Sequence, residues 1–269
     1  PAVSKWAFNA QFERVCLSWY LGYPVGRYLD PDSWYCTMVW SATLGLPLSL
    51  EGAGAVLGLE KQKLKEGKDL VRYFCTPAKA RDGSAFRRLP TDAPEKWAAF
   101  KAYNLRDVET EMSIQQKLSR FPVSQEEWKN YHLDQRINDR GVRVDRLLVK
   151  SAMAVDQAFS EQAFQRAQEL TGLENPGSVS QLKAWLADMD MPMESLSKRI
   201  VQEKAAGAEG IVKELLELRL ELSKTSVKKY ESMARCICKD GRVHGLLQFG
   251  GASRTFRWAG RLVQAQNLP

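Results

Sequence analysis

An α/β region followed by a mainly helical one is the fold class this sequence predicts, and three observations predict it. Residues 3–8, VSKWAF, alternate weakly and put Trp6 and Phe8 on one side, as a strand does, and helical spacing follows directly. Pro122 then breaks the pattern, and the apolar spacing after it is mainly helical. A short β segment closes the chain, so three parts are expected, at residues 1–122, 123–241 and 242–269.

The elements follow in order. Asn9 ends the first strand, and Phe12, Val15, Cys16, Trp19 and Tyr20 are spaced as one apolar helix face. Glu13 sits at the edge of that face, in the first turn, and Gly22, Pro24 and Gly26 end the helix. WYCTMVWSATLGL is apolar and suits strand or helix, whereas SLEGAGAVLGL suits a short helix closely packed at its glycines. Residues 75–96, with Pro77, Gly83, Pro90 and Pro94, form a loop. Pro94 fits the first turn of a helix that runs to about Arg120, with Trp97, Phe100, Val108 and Met112 on its buried face. Tyr103, Asp107 and Glu111 form an adjacent row, because residues four apart are neighbours on a helix.

Beyond Pro122, Ser124 and Glu127 make a capping-box pattern before a helix that ends near Gly141. VRVD is briefly extended. Leu148, Ala152, Val155, Phe159 and Ala163 mark the next helix, which stops at Gly172. Ser178 and Gln181 repeat the capping pattern before Leu182, Trp185, Leu186 and Met189, and Ile211, Leu215, Leu218 and Leu222 form a pairing seam. KDGRVHGLLQFGGASR reads as a turn, a strand and a glycine-rich turn. No fixed-period repeat is present.

Hydrophobic residues make up 44% of the 269, enough for packed cores and against disorder. No run of about eighteen apolar residues offers a membrane span. The start, PAVSKWAFNA, has no signal-peptide pattern and no initiator Met, so the expectation is a chain that begins inside a longer one. Five cysteines, with Cys236 and Cys238 as C-x-C and no histidine cluster, suit reduced thiols in the cytoplasm. The net charge is +7, and residues 224–269 carry nine basic and two acidic side chains, so the whole surplus lies in that tail. Such a surplus suits a polyanionic partner, and equally a solvated basic surface.

Three constellations carry chemistry. Glu13, at a helix start directly after a strand, can project into a cleft beside the sheet, or simply favour the first helical turn. KAYNLRDVETEM places Tyr103 and Asp107 four apart, with Glu109 and Glu111 beyond, which suits a solvated face or a metal site. Two-metal phosphodiester hydrolysis needs several carboxylates and a group that orients water. The tail is more specific. TSVKKY gathers hydroxyls and lysines that hold phosphates, and RTFRWAGRLVQAQNLP joins Arg254, Arg257 and Arg261 to Gln264, Gln266 and Asn267. Long donors of this kind reach minor-groove acceptors, which report pairing geometry more than sequence.

At these residues the chain resembles family A DNA polymerases, the DNA polymerase I-like family, and most of all the phage-type members. FNAQFERV resembles the second motif of the 3′–5′ proofreading exonuclease, N-x-x-[FY]-D, and YNLRD the third, Y-x-x-x-D. INDRGVRVD resembles the segment that opens the polymerase region. NPGSVSQLKAWL, ELRLELSKTSVKKY and GRVHGLLQFGGASRTFRWAGRLVQAQNLP resemble the thumb and the start of the palm.

The resemblance implies a partial ribonuclease H-like exonuclease domain, a helical thumb and the start of the palm. It implies Asp107 as a metal ligand, Tyr103 as the group orienting water, and Glu13 as a second ligand where the family has aspartate, one methylene shorter. Arg257 corresponds to the arginine of the T-G-R motif, with Phe256 in place of its glycine. Gln266 and Asn267 correspond to the Q-N pair at the duplex, and Lys224, Thr225, Ser226, Lys228 and Lys229 to the thumb tip. The implied partner is primer–template DNA. Mg2+ (or Mn2+) and deoxynucleotides belong to the full-length parent. The first exonuclease motif, D-x-E, is expected before residue 1 and the polymerase carboxylates after Pro269, so this stretch alone is expected to be inactive. Two other readings remain: a non-catalytic DNA-binding scaffold with a degenerate exonuclease domain, and an unrelated helical protein whose basic end binds RNA or a protein.

Overall fold

The computed structural model describes residues 3–59, 67–80, 82–223 and 227–267. The chain divides into two compact units, one of Pro1–Gly141 with His244–Arg261, the other of Val142–Val243 with Leu262–Pro269. Residues 123–141 thus belong with the first unit, although Pro122 is the break the sequence displays.

The first unit opens with β1 (Lys5–Ala7), then α1 (Ala10–Tyr20) and β2 (Trp34–Cys36). The strands pair in parallel, Trp6 opposite Tyr35, with the helix as crossover. Asn9 makes the corner in a left-handed conformation, φ 99°, which asparagine tolerates better than most residues. WYCTMVWSATLGL resolves into both candidates, strand β2 running straight into α2 (Thr37–Thr43). The helix α3 (Leu50–Val56) follows, with Ser49 accepting the Gly52 N–H as its cap, then α4 (Gly67–Cys75). A two-residue hairpin, β3 (Ala78–Lys79) and β4 (Ala85–Phe86), lies within the proline-rich loop. Pro94 starts α5 (Pro94–Leu118), and Ser124 caps α6 (Gln125–Arg140) through the Glu127 N–H.

Two buried clusters hold this unit. Ala10, Trp34, Cys36, Val39, Tyr131 and Phe249 form one, and Trp40, Leu50, Ala53, Leu59, Ile114 and Leu118 the other. Phe249 arrives from the far end of the chain, on an antiparallel hairpin.

The helical unit starts with β5 (Val142–Arg143) and α7 (Arg146–Thr171), capped by Asp145 and ended by Gly172 at φ 67°. Its other helices are α8 (Val179–Asp188), α9 (Lys198–Gly207), α10 (Gly210–Leu222) and α11 (Lys228–Cys236). Leu182, Leu186, Val201, Leu215 and Leu216 make its core. The antiparallel partner of β5 is β6 (Arg242–Val243). The hairpin that completes the first unit is β7 (Leu247–Ala252) with β8 (Arg257–Gly260). Gly250 is required there: a Cβ would stand 2.4 Å from the Phe256 ring, which packs across it. Phe256 itself adopts φ 52°, a left-handed geometry that glycine enters more easily.

Several expected faces are inverted. The predicted apolar face of α1 is exposed, Phe12 at 62% and Trp19 at 81%, while Ala10, Arg14 and Ser18 are buried. On α5 the inward row is Tyr103, Thr110, Glu111, Ile114 and Leu118, and Val108 and Met112 face out. On α7, Leu148 and Val155 are exposed, Ala163 is buried as expected, and Val149 and Ala167 are buried with it. Lys228 and Lys229 begin α11. No helix among the described residues is long and apolar enough to cross a membrane.

Candidate functional site: a carboxylate-lined cavity

The inversion of α1 and α5 brings charged side chains inside, with a chemical result. α1 turns its polar side inward because both terminal nitrogens of Arg14 find acceptors there, although its buried Nε has none among the described residues. The Arg14 guanidinium donates to both oxygens of Asp139 at 2.8 and 2.6 Å, to the Leu29 carbonyl at 2.9 Å and to Gln135 Oε1 at 3.2 Å. Ser18 accepts the Leu29 N–H and donates to the Arg14 carbonyl. With Arg14 fixed, Glu13 is set at the edge of the interior.

Glu13 opens into a cavity of about 650 Å3. Asp107 and Glu111 reach the same cavity from α5, one helical turn apart. Asn9 and Asn104 add amides, Gln248 and Arg261 come from the C-terminal hairpin, and Trp6, Phe8 and Met38 supply apolar wall. Burial pushes the Glu13 carboxyl up to about 7; a backbone hydrogen bond opposes the shift and the charge of Glu111 adds to it. Glu13 Oε2 is buried without a hydrogen-bond partner among the described residues. Glu111 is also raised, by burial, against the hydroxyl of Thr37, which donates to its Oε1 at 2.6 Å.

A preformed metal centre does not emerge. Among the described residues no group of three His, Cys, Asp or Glu side chains is close enough to hold a metal ion. The carboxylates share a cavity without composing a ligand set, so no chemical step is assigned to Mg2+ here. Tyr103 is buried outside the cavity lining. Its ring stacks on Phe100 (6.2 Å, 9°) and lies against Gly67, where a Cβ would come within 2.0 Å of Tyr103 Cε2. Gly67→Ala should therefore overpack this contact and cost roughly 1–3 kcal/mol, read as a lower thermal midpoint. An unchanged midpoint would mean that the ring moves freely.

The tail residues separate. Arg254 is exposed in the β7–β8 turn, Arg257 donates from Nε to Thr255 Oγ1 at 3.2 Å, and Arg261 lies at the cavity, all in the first unit. In the helical unit, exposed Lys228 and part-buried Lys229 stand in the first turn of α11, and Lys229 Nζ donates to the Val263 carbonyl at 3.1 Å. Gln266 is exposed, and Asn267 Nδ2 donates to Gln264 Oε1 at 3.2 Å. Lys224, Thr225 and Ser226 lie outside the described residues. Gln248 and Asn104 are cavity residues absent from the expected site, whereas Glu111 stood beside Asp107 in the row expected as a solvated face or a metal site. The i, i+4 relation of Glu111 to Asp107 was the available signal, whereas nothing local to Gln248 points to α5.

No protein-family profile matches the chain. A curated relative, the "DNA polymerase" of Bacillus phage SP02, is 48% identical over 271 residues, covering 99% of this chain. The chain spans 41% of the length of that relative.

Proposed function

We propose that the chain is part of a family A DNA polymerase, that it binds primer–template DNA, and that its first unit is a 3′–5′ exonuclease-like domain. The observation that carries the reading is the 48% identity to a phage DNA polymerase along 99% of the chain. The parallel β1–α1–β2 unit suits an α/β, ribonuclease H-like start, and the helical unit suits a thumb. On this reading Arg254, Arg257, Lys228 and Lys229 neutralise phosphates, and Gln266 and Asn267 reach the minor groove. Lys224, Thr225 and Ser226 belong to the same proposal from sequence. Deoxynucleotides and Mg2+ (or Mn2+) belong to the activity of the whole protein.

A second reading, an exonuclease-like scaffold without chemistry, is favoured by one observation: Tyr103 packs on Gly67 rather than lining the cavity. One experiment separates the two. Full-length protein is given end-labelled primer–template with Mg2+, with and without deoxynucleotides, as wild type and as Asp107→Ala. Primer extension by both proteins is expected. Shortening of the primer from its 3′ end by wild type, reduced at least a hundredfold in Asp107→Ala, supports the nuclease. Extension with no shortening in either supports the scaffold. No extension by either sinks the polymerase reading.

A further inference from the structure

A groove of about 640 Å3 runs along the helical unit between α7 and α11. It is open because small side chains stand on both of its sides: Ala154 on α7 and Ala234 on α11 leave space that larger residues would fill. Val149, Met153 and Ile237 supply apolar floor and wall, and Met153 is the side chain best able to reshape itself to a guest. Leu147, 74% exposed, stands on the same side of α7 as Lys150 and Ala154, because residues three and four apart are neighbours on a helix. From Arg146 to Gln157 the lining follows about 16 Å of helix, three turns.

Charge gives the groove a direction. Arg146 and Lys150 line one end, and no carboxylate is among the described lining residues. The Arg146 guanidinium is held in place, donating to the Cys238 carbonyl at 2.6 Å, and the same contact sets the start of α7 beside the end of α11. Asp145 is turned to the Leu147 and Leu148 N–H groups as their cap. At the far end Gln157 donates to Glu161 at 2.9 Å, and Glu231 stands one turn before Ala234 on α11, towards that same end. An apolar floor of helical length, with cations at one end and acids beyond the other, complements an amphipathic helix whose carboxylates gather at one end. A nucleic-acid strand is a poorer guest, because it would carry phosphates to the acidic end as well. We propose that this groove docks an amphipathic helix of a partner protein, about three turns long, with its acidic end on Arg146 and Lys150 and its apolar face on Met153 and Ile237. Docking here is independent of the exonuclease-like reading, since every lining residue belongs to the helical unit.

The test is fluorescence anisotropy on the full-length protein with two labelled, helix-stapled three-turn peptides of leucine and alanine, one with glutamates at one end and the other with lysines in their place. Wild type is compared with Lys150→Glu, with Ala154→Phe, which fills the groove, and with a charge-reversed control on α10, Lys213→Glu. All three positions are exposed on helices, so the variants are expected to fold, and an unchanged melting temperature checks it. The acidic peptide should bind wild type at least tenfold more tightly than the basic one. Its affinity should fall at least tenfold in Lys150→Glu and in Ala154→Phe, and stay within threefold in Lys213→Glu. No binding by wild type, equal affinity for the two peptides, or an equal loss in Lys213→Glu overturns the assignment. Displacement of the peptide by duplex DNA overturns it in favour of a nucleic-acid surface, and self-association of wild type that Ala154→Phe abolishes overturns it in favour of a second copy of the chain.

Discussion

Arg14→Ala is expected to destabilise the first unit by about 3–5 kcal/mol, the range for removing one partner of a buried ion pair. Arg14 has no exposed surface and bonds α1 to Asp139, Gln135 and Leu29 at once. Truncation leaves a carboxylate, an amide oxygen and a main-chain carbonyl without their donor, and opens a void beside them. The pair need not be a net source of stability, since well-packed apolar replacements of buried pairs are often neutral or better. The double variant Arg14→Met, Asp139→Leu should accordingly recover most of the loss. Urea denaturation followed by tryptophan fluorescence measures both, and a loss below about 1 kcal/mol for Arg14→Ala would show that water replaces the missing donors.

Asp134→Ala carries the second-largest effect, and its size should change with pH. Asp134 is 1% exposed and accepts from Trp258 Nε1 at 2.8 Å and from Gln135 Nε2 and Asn138 Nδ2 at 3.1 Å. It ties α6 to the β7–β8 hairpin. Burial raises its pKa to about 6, against the three hydrogen bonds and Arg261, which lower it. A folded pKa above the unfolded value of 3.8 means the folded state holds the proton more tightly. The stabilising contribution is therefore complete below pH 3.8 and is lost as pH rises through about 6. Removing the side chain orphans two buried donors and one part-buried donor, at a cost of about 4 kcal/mol at pH 4. By pH 8 the wild type already bears an ionised buried carboxylate, and the difference should shrink to about 2 kcal/mol. Denaturation midpoints at the two pH values test this. A difference that grows towards pH 8 would reverse the sign of the argument.

The ends of the elements were legible in the sequence because their causes are local. Asn9, Pro94, Ser124, Gly141 and Gly172 act through their own backbone or first-turn chemistry, and each stands where an element starts or stops. The facing of the elements was not legible. On α1, α5 and α6 the buried rows include polar side chains, and their partners lie far away in sequence: Arg14 with Asp139, Thr37 with Glu111, Asn138 with Leu247. An apolar-stripe argument must choose Phe12 and Trp19 over Arg14, because it cannot see Asp139 arriving. Half of the site was legible for the same reason: Asp107 and Glu111 share a helix row, whereas Gln248 and Arg261 join Glu13 only through the fold. Sites of this kind break local rules where chemistry needs polar groups inside.

The β7–β8 hairpin has a further meaning for how the molecule is made. Phe249 completes a cluster founded by Ala10, and about a hundred residues of helical unit lie between Gly141 and the return of the chain at His244. A ribosome emits the chain from its N-terminus, so the first unit waits, its apolar seat for Phe249 open, until the hairpin has emerged. Its closure is a late, long-loop event, while the uninterrupted helical stretch can settle beforehand.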